Sequence, residues 1–217
     1  MVTLAQLRTQ ARQRADMVYS QNISDAELNV YLNSSACELY DLLVCDYEDY
    51  YLTSVNFTLA NGDGYTLPSD FYKLRGLDFS SGGNWIALDS FNFNERNRNG
   101  NLPYTSTYAG LKYRILGDTL TITPENSCAG DYRLWYIPQL QTLVNDGDSF
   151  TTLQRWEEYV VVDACIKMLA KEQDDVSVHM AQKQALIQRI KAAAPNRDAG
   201  AGERITDVNY SRDLWEY

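Results

Sequence analysis

The chain has 217 residues, 45% of them hydrophobic and 22% charged, which is ordinary for a globular protein and leaves room for one large domain or two closely joined ones. Its 19 Lys and Arg against 29 Asp and Glu give a net charge of -10. Such an acidic surface argues against a protein that reads nucleic-acid sequence by gripping phosphates, although it does not exclude a channel through which DNA slides.

The sequence shows no pattern typical of a signal peptide, a membrane span or a CxxC cysteine pair. The N-terminal segment is polar and arginine-rich, unlike a signal peptide, and no apolar run approaches the roughly 18–20 residues that cross a bilayer. We therefore expect a soluble chain made in a cytosol. Cys37, Cys45, Cys128 and Cys165 form no CxxC pair, so we expect reduced cysteines that pack as small apolar residues.

The first helix is predicted from Leu4 to Val18, with Thr3 as its N-cap. The helical spacing of its apolar residues defines one buried stripe. Arginines occupy the other side, and we interpret them as an intersubunit or intrabundle ion-pair face rather than a nucleic-acid site, because no aromatic residues are interleaved. This stripe comprises Leu4, Leu7, Ala11, Ala15 and Val18, and the arginines are Arg8, Arg12 and Arg14.

The second helix has the clearer start signal. Ser24 and Glu27 have the spacing of a capping box, and Ile23 with Leu28 has the spacing of a hydrophobic staple. The leucine repeat then continues to about Tyr47. Both helices present one apolar face, so we expect them to pack against each other.

From about Leu52 to Pro138 the apolar period drops from helical to two, which predicts strands. Val55, Phe57 and Leu59 alternate with polar residues. The turn at 61–64 then predicts a reversal into Tyr65 and Leu67.

Further turn signals divide the rest of this β region. Phe71 to Phe79 predicts another strand, and a turn at 82–84 leads into Trp85. The strongest hairpin signal runs from Leu111 through Gly117-Asp118 to Ile122, and Tyr132 to Ile137 forms the last strand. The polar stretch Asn92 to Asn101 predicts a short helix or a surface loop. We expect about six strands in a small antiparallel sheet or sandwich.

Helical spacing returns after Thr151. Thr151 and Gln154 have capping-box spacing before a third helix with a broad apolar face that includes Trp156, so this helix should be the most buried. A fourth helix is predicted from near Val176 to Ala194, and its apolar side consists of Val176, Met180, Ile187 and Ile190. Pro195 ends it.

These elements predict an α+β fold: an antiparallel bundle of about four helices from both chain ends, with an inserted antiparallel β lobe and an extended C-terminal arm. The expected limits are 1–51 and 141–194 for the bundle, 52–140 for the lobe and 195–217 for the arm. A disordered terminus is the alternative for the arm. Its apolar anchors favour docking on a partner; they are Ile205, Val208, Tyr210, Leu214, Trp215 and Tyr217.

The sequence offers little catalytic equipment. His179 is the only histidine and has no partner at a spacing typical of a nucleophile relay or metal site. The pairs Glu157-Glu158 and Asp174-Asp175 point about 100° apart on a helix, so neither forms an acid/base pair by itself. The acidic turns at 61–63 and 145–148 lack calcium-loop spacing. We predict no catalytic, cofactor or metal residues.

One stretch adds a family resemblance to this pattern. Gly64-Tyr65-Thr66-Leu67-Pro68-Ser69-Asp70-Phe71, followed by Lys73-Leu74-Arg75 and set between the two helical regions, resembles the head-to-tail adaptor proteins of tailed bacteriophages, with the tail tubular protein A or gatekeeper type nearest in pattern. The resemblance implies a structural protein of the virion neck, synthesised in the host bacterial cytoplasm.

The same resemblance implies the partners. Adaptors of this kind form rings, usually of twelve copies, beneath the portal protein, extend the DNA channel and present a platform for tail or nozzle proteins. DNA is only passing cargo, and no membrane is involved. The C-terminal arm, with its anchors from Ile205 to Tyr217, stands where the family's arm embraces the portal.

Two other classes remain open. A phage enzyme that cuts peptidoglycan would need a cleft with converging acids. A tail or receptor-binding module would form an elongated trimer with repeats or a β-rich tip. The sequence shows no internal repeat, and the helices at both ends of the chain argue against such a module.

Overall fold

The computed structural model describes residues 2–95, 110–153 and 155–193. Within them the chain forms a helix bundle and a β-sandwich, each with its own cluster of buried apolar side chains. The α+β prediction is therefore confirmed. The domain limits 1–51, 52–140, 141–194 and 195–217 remain a proposal.

Helix α1 covers Leu4–Arg14 and begins at the predicted cap. The hydroxyl of Thr3 accepts a hydrogen bond from the Gln6 amide at 3.3 Å, and the Gln6 side chain accepts one from the Thr3 amide at 3.0 Å. The helix ends earlier than predicted, because Asp16 adopts a left-handed φ of 54°. Val18 thus lies beyond the helix with 47% of its surface exposed, and the prediction that it belongs to the buried stripe is wrong.

Helix α2 covers Asp25–Asp46 and forms half of its predicted capping box. The Ser24 hydroxyl accepts a hydrogen bond from the Glu27 amide at 3.2 Å. The Glu27 carboxylate does not return to the cap but binds Lys171 and the Tyr31 hydroxyl. Ile23 and Leu28, the predicted staple, are both buried.

Helix α3 covers Glu157–Glu172 and is the most buried of the four, as predicted. Its start was predicted wrongly. Trp156 occupies the N-cap position without a side-chain cap and is only partly buried, while Thr151 lies in a bend ahead of the helix and Gln154 lies outside the described residues.

Helix α4 covers Ser177–Ala193. Ile190 is buried, and Val176 and Ile187 pack partly buried against the bundle core. Met180 is 50% exposed, so the predicted apolar side of this helix is shorter than expected. Helices α1, α2 and α4 all contact α3, which explains why α3 needs the widest apolar face.

The described part of the β lobe contains eight strands in two four-stranded sheets, where about six were predicted. The strands are β1 Thr53–Leu59, β2 Tyr65–Thr66, β3 Phe71–Ser81, β4 Asn84–Ala87, β5 Asp89–Ser90, β6 Lys112–Leu116, β7 Thr119–Thr123 and β8 Gly130–Pro138. The first sheet has the order β1-β8-β3-β4 and the second β2-β7-β6-β5.

Two predicted hairpins are confirmed, and a third is wrong. β3 pairs with β4 across Gly82-Gly83, and β6 pairs with β7 across Gly117-Asp118. The turn at 61–64 does not form a hairpin, because β1 pairs with β8 in one sheet while β2 pairs with β7 in the other. The short parallel pair of β5 and β6 was not predicted, since a two-residue strand carries no alternation.

The two sheets bury a shared core. Leu77, Phe79, Tyr132 and Leu134 come from the first sheet, and Tyr113, Leu120 and Ile122 come from the second. The rings of Phe57 and Tyr65 stack at 3.7 Å between centroids, which joins the sheets at the β1 end. The predicted sandwich is the correct architecture.

Candidate interaction surfaces

One carboxylate of each adjacent acidic pair has a structural partner. Glu158 forms an ion pair with Arg14 at 2.5 Å. Asp175 accepts hydrogen bonds from the amide and hydroxyl of Ser177, the first residue of α4, at 2.8 and 2.9 Å, and these bonds lower the pKa of its carboxyl. His179 is partly buried on α4. In the described ranges, no group of three or more His, Cys, Asp or Glu side chains could hold a metal ion.

The two acidic turns act as turns, as predicted. The Asp148 carboxylate accepts hydrogen bonds from the amides of Asn145 and Val144, at 2.8 and 2.9 Å, and these bonds lower its pKa. The Asn61 side chain accepts a hydrogen bond from the Ala129 amide at 2.8 Å. These side chains stabilise the loop backbone.

The cysteine prediction is right for two positions and wrong for two. Cys128 and Cys165 are buried, and burial raises the pKa of the Cys165 thiol to about 12. Cys37 and Cys45 on α2 are exposed, because they lie away from the face that contacts the other helices.

The arginines of α1 form ion pairs with other parts of the bundle, as the intrabundle interpretation predicts. Arg8 pairs with Asp146 and Arg12 with Asp25. Arg12 also donates a hydrogen bond to the Ile23 carbonyl at 2.7 Å. With the Arg14 pair, these contacts fix α1 to the loop before α3, to the start of α2 and to α3.

A polar junction holds the β lobe on the bundle. On the bundle side, Tyr40 donates a hydrogen bond to the Pro138 carbonyl at 2.7 Å. From the lobe side, Tyr72 donates one to the Asp41 carboxylate at 2.7 Å, and this bond is the main cause that raises the pKa of Tyr72 to about 12.

Ion pairs extend this junction. Glu48 pairs with both Lys73 and Arg75 at 2.5 Å, and Asp49 pairs with Arg75 at 2.7 Å. The rings of Tyr40 on the bundle and Tyr72 on the lobe lie 6.1 Å apart between centroids. An aromatic pair of this kind adds to the energy of area burial, so the lobe is attached through several different contacts.

The outer face of the first sheet carries an arginine between two tryptophans. The Arg133 guanidinium lies 4.0 Å from the ring centroid of Trp85 and 5.7 Å from that of Trp135. Arg133 also donates a hydrogen bond to the Asn56 side chain at 3.1 Å, and Trp135 donates one to Asp78 at 2.7 Å. Tryptophan and arginine are enriched in the energetic centres of protein interfaces.

A groove of about 510 Å³ continues from Trp135 toward the bundle. Its lining is Asp49, Leu52, Arg75, Gly76 and Trp135. A Cβ atom added to Gly76 would have no other atom within 4 Å, so the groove is open at its base. We call Trp85, Arg133 and Trp135 together with this groove the Trp–Arg face.

Several predicted features fall outside the described residues. They include the six arm anchors Ile205, Val208, Tyr210, Leu214, Trp215 and Tyr217, and most of the polar stretch from Asn92 to Asn101. Residues 92–95 of that stretch are described, and Phe93–Glu95 form a short 3₁₀ turn. No helix in the described ranges is both long enough and apolar enough to span a membrane.

Comparison with known proteins provides the identity that side-chain chemistry does not. The sequence model of the SU10 adaptor protein family matches residues 2–206, a span that contains the whole helix bundle and the whole sandwich. No curated protein matches the chain. The family comprises structural adaptors of the phage neck, which agrees with the resemblance to head-to-tail adaptors. The chain belongs to the SU10 adaptor protein family.

Proposed function

We propose that this chain is a head-to-tail adaptor that assembles into a ring, usually of twelve copies, beneath the portal protein. The ring extends the DNA channel and gives tail or nozzle proteins a platform. The observation that carries this proposal is the family match over residues 2–206. The finer resemblance to tail tubular protein A is part of the proposal.

The two-part architecture supports an adaptor role. A protein that joins two assemblies needs separate surfaces held in a fixed relation, and the bundle and lobe provide them. Tyr72 with Asp41, and Arg75 with Glu48 and Asp49, join the two parts through side chains that are partly exposed. The lobe therefore keeps its orientation while its outer face remains accessible.

The net charge supports a passive channel. Each copy carries -10, so a ring multiplies this charge. Phosphates that pass an acidic wall gain nothing from counterion release, and DNA can slide without sticking. Of the three α1 arginines, Arg12 and Arg14 have ion-pair partners at 2.8 and 2.5 Å, and Arg8 pairs with Asp146, which reduces the positive field of that helix.

The C-terminal arm is the proposed contact with the portal. Its six anchors are large apolar or aromatic residues at one end of the chain, a composition typical of segments that dock on a partner. We assign portal docking to Ile205, Val208, Tyr210, Leu214, Trp215 and Tyr217.

The proposal is tested by mixing the purified chain with the portal protein of the same phage and weighing the complexes by mass photometry. We expect one species whose mass is that of the portal ring plus an integral set of chains. Absence of any complex, or a chain that is always a trimer, would overturn the adaptor assignment. Hydrolysis of peptidoglycan that is lost in a single carboxylate variant would favour the enzyme instead.

A further inference from the structure

We propose that the two edge strands of the first sheet, β1 and β4, pair between neighbouring copies, so that the sheet continues around the ring. This inference rests on the proposed ring and specifies which strands join its members. It concerns only described residues of the β lobe.

The outward edge of β1 carries none of the residues that protect exposed strand edges. Thr53–Leu59 pairs with β8 along one side, and within the described part of the chain no strand pairs with the other side. The seven residues Thr-Ser-Val-Asn-Phe-Thr-Leu include no charge, proline or glycine. Natural proteins block exposed edges with such residues because unpaired backbone groups invite another strand. An edge that lacks them is suited to receive one.

The core side of β1 is also incompletely covered. Val55 and Phe57 face Leu134 and Tyr132 across the ladder, yet both are only partly buried, whereas Leu59 at the strand end is buried. Among the described residues, the second sheet provides only the two-residue strand β2 near this edge. An added strand would remove apolar surface of Val55 and Phe57 from water.

The opposite edge of the same sheet is β4. Its four residues, Asn84–Ala87, contain no charge or proline. Trp85 stands opposite Ser80 on the outer face and is 38% exposed, and Ile86 stands opposite Phe79 on the core face.

The direction of the strands suits this pairing. All three pairs in the order β1-β8-β3-β4 are antiparallel, so β4 runs opposite to β1. When β4 of one copy lies beside β1 of the next, the antiparallel alternation continues. Contact between two different surfaces is what closes a ring, whereas β1 against β1 would stop at a two-fold dimer.

The side chains on the two edges are complementary. On the outer face Trp85 would lie against Ser54, Asn56 and Thr58, which are small enough to accept an indole ring. On the core face Ile86 would lie beside Val55 and Phe57 of the neighbour. Because neither strand carries a charge, the pairing would place no two like charges directly opposite each other on the joined strands.

The pairing also fixes a dimension. Strands lie about 4.8 Å apart, so four strands add about 19 Å per copy and twelve copies give a perimeter of at least about 230 Å at the lobe. A ring measured at this level should therefore have a diameter of about 70 Å or more, increasing as the strands tilt.

Hydrogen exchange followed by mass spectrometry tests the inference on rings assembled with the portal protein of the same phage. We expect the amides of 53–59 and 84–87 to exchange on the order of tenfold more slowly in the ring than in the free chain, because their outward N–H groups become paired. Strand β2, an edge strand of the other sheet, is the internal control and should not change.

Single proline substitutions at two adjacent positions of β1 give a matched pair of variants. Along an antiparallel strand successive N–H groups point to opposite sides, so of Ser54→Pro and Val55→Pro one removes a bond to β8 and the other removes an outward N–H. The variant that keeps the parent's melting temperature is the informative one, and we expect it to bind the portal only as single copies without closing a ring.

The outcomes separate the two proposals. Rings in which neither β1 nor β4 gains protection would overturn the strand pairing and leave the adaptor function intact. Protection of β1 without β4 would assign the edge to a different partner and overturn the pairing between copies. Failure to form rings at all would overturn the proposed function, and the inference with it.

Discussion

Lys183 of α4 donates a hydrogen bond of 2.6 Å to the carboxylate of Asp163, which is buried on α3 with 2% of its surface exposed. The other carboxylate oxygen lies 2.8 Å from Lys167. Glu38 of α2 receives both lysines from the solvent side, at 2.9 and 3.1 Å. This network joins three helices around one buried charge.

Asp163→Asn should destabilise the protein by about 1–3 kcal/mol, because Lys167 and Lys183 lose their buried charged acceptor and keep only the more exposed Glu38. Urea unfolding at neutral pH measures the change. The matched control is Glu38→Gln, because Glu38 contacts the same two lysines but its side chain is 44% exposed. The control substitution should lower the free energy of unfolding by less than about 1 kcal/mol. Equal losses in the two variants would contradict the assignment of Asp163 as the structural charge.

The same network predicts a loss of stability in acid. Burial raises the pKa of the Asp163 carboxyl, but the hydrogen bonds from Lys167 and Lys183 outweigh it, so the pKa lies below its ordinary value. A carboxyl with a lowered folded pKa stabilises the protein above its unfolded value of about 3.9, and this stability is lost as pH falls through the folded pKa.

The stability gap between the parent and Asp163→Asn should therefore be full near about pH 7 and smaller near about pH 3. Paired urea titrations at the two pH values check this. A gap that stays constant would show that the carboxylate's charge is not what stabilises the bundle.

The bundle was predictable because its signals are local. The Thr3 cap and the Ile23–Leu28 staple each depend on residues within one or two turns of helix. The prediction of where α3 starts also relied on a local signal, and it was wrong. Thr151 and Gln154 have the right spacing, but the tertiary structure places the first helical turn at Glu157, after Trp156.

The sheet was predictable in its turns and not in its pairing. Gly82-Gly83 and Gly117-Asp118 each join neighbouring strands, so a turn signal was sufficient. The partner of β1 is β8, and Thr53 pairs with Tyr136 far along the chain. No local pattern reports such a contact, and the Trp–Arg face, which brings Trp85 to Arg133, was missed for the same physical reason.

The isolated protein should not bind duplex DNA with nanomolar affinity at about 0.15 M salt, since its net charge of -10 repels phosphates. Fluorescence anisotropy with a labelled duplex is the measurement. Tight binding would contradict a passive channel, and a steep decrease of that binding with added salt would identify phosphate contacts.

Truncation after Pro195 should leave the melting temperature almost unchanged and abolish attachment to the portal. The reason is that Ile190 is the last buried apolar anchor of α4 in the described residues, whereas the arm anchors are proposed to act on the partner. Thermal unfolding and portal pull-down measure the two effects. A full-length control with Leu214, Trp215 and Tyr217 changed to Ala should lose most of the affinity, at about 2 kcal/mol or more for each seated aromatic.

A truncated chain that still joins the portal at full affinity would exclude the arm as the docking element. The rest of the adaptor proposal would then have to rely on the bundle or the lobe for that contact.

Electron micrographs of the purified chain with the portal protein of the same phage test the central claim most directly. The adaptor account predicts a closed ring of repeated copies, usually twelve, stacked coaxially on one face of the portal with an open channel through both. Single chains, elongated trimers, or copies scattered on the portal without a common axis would contradict it.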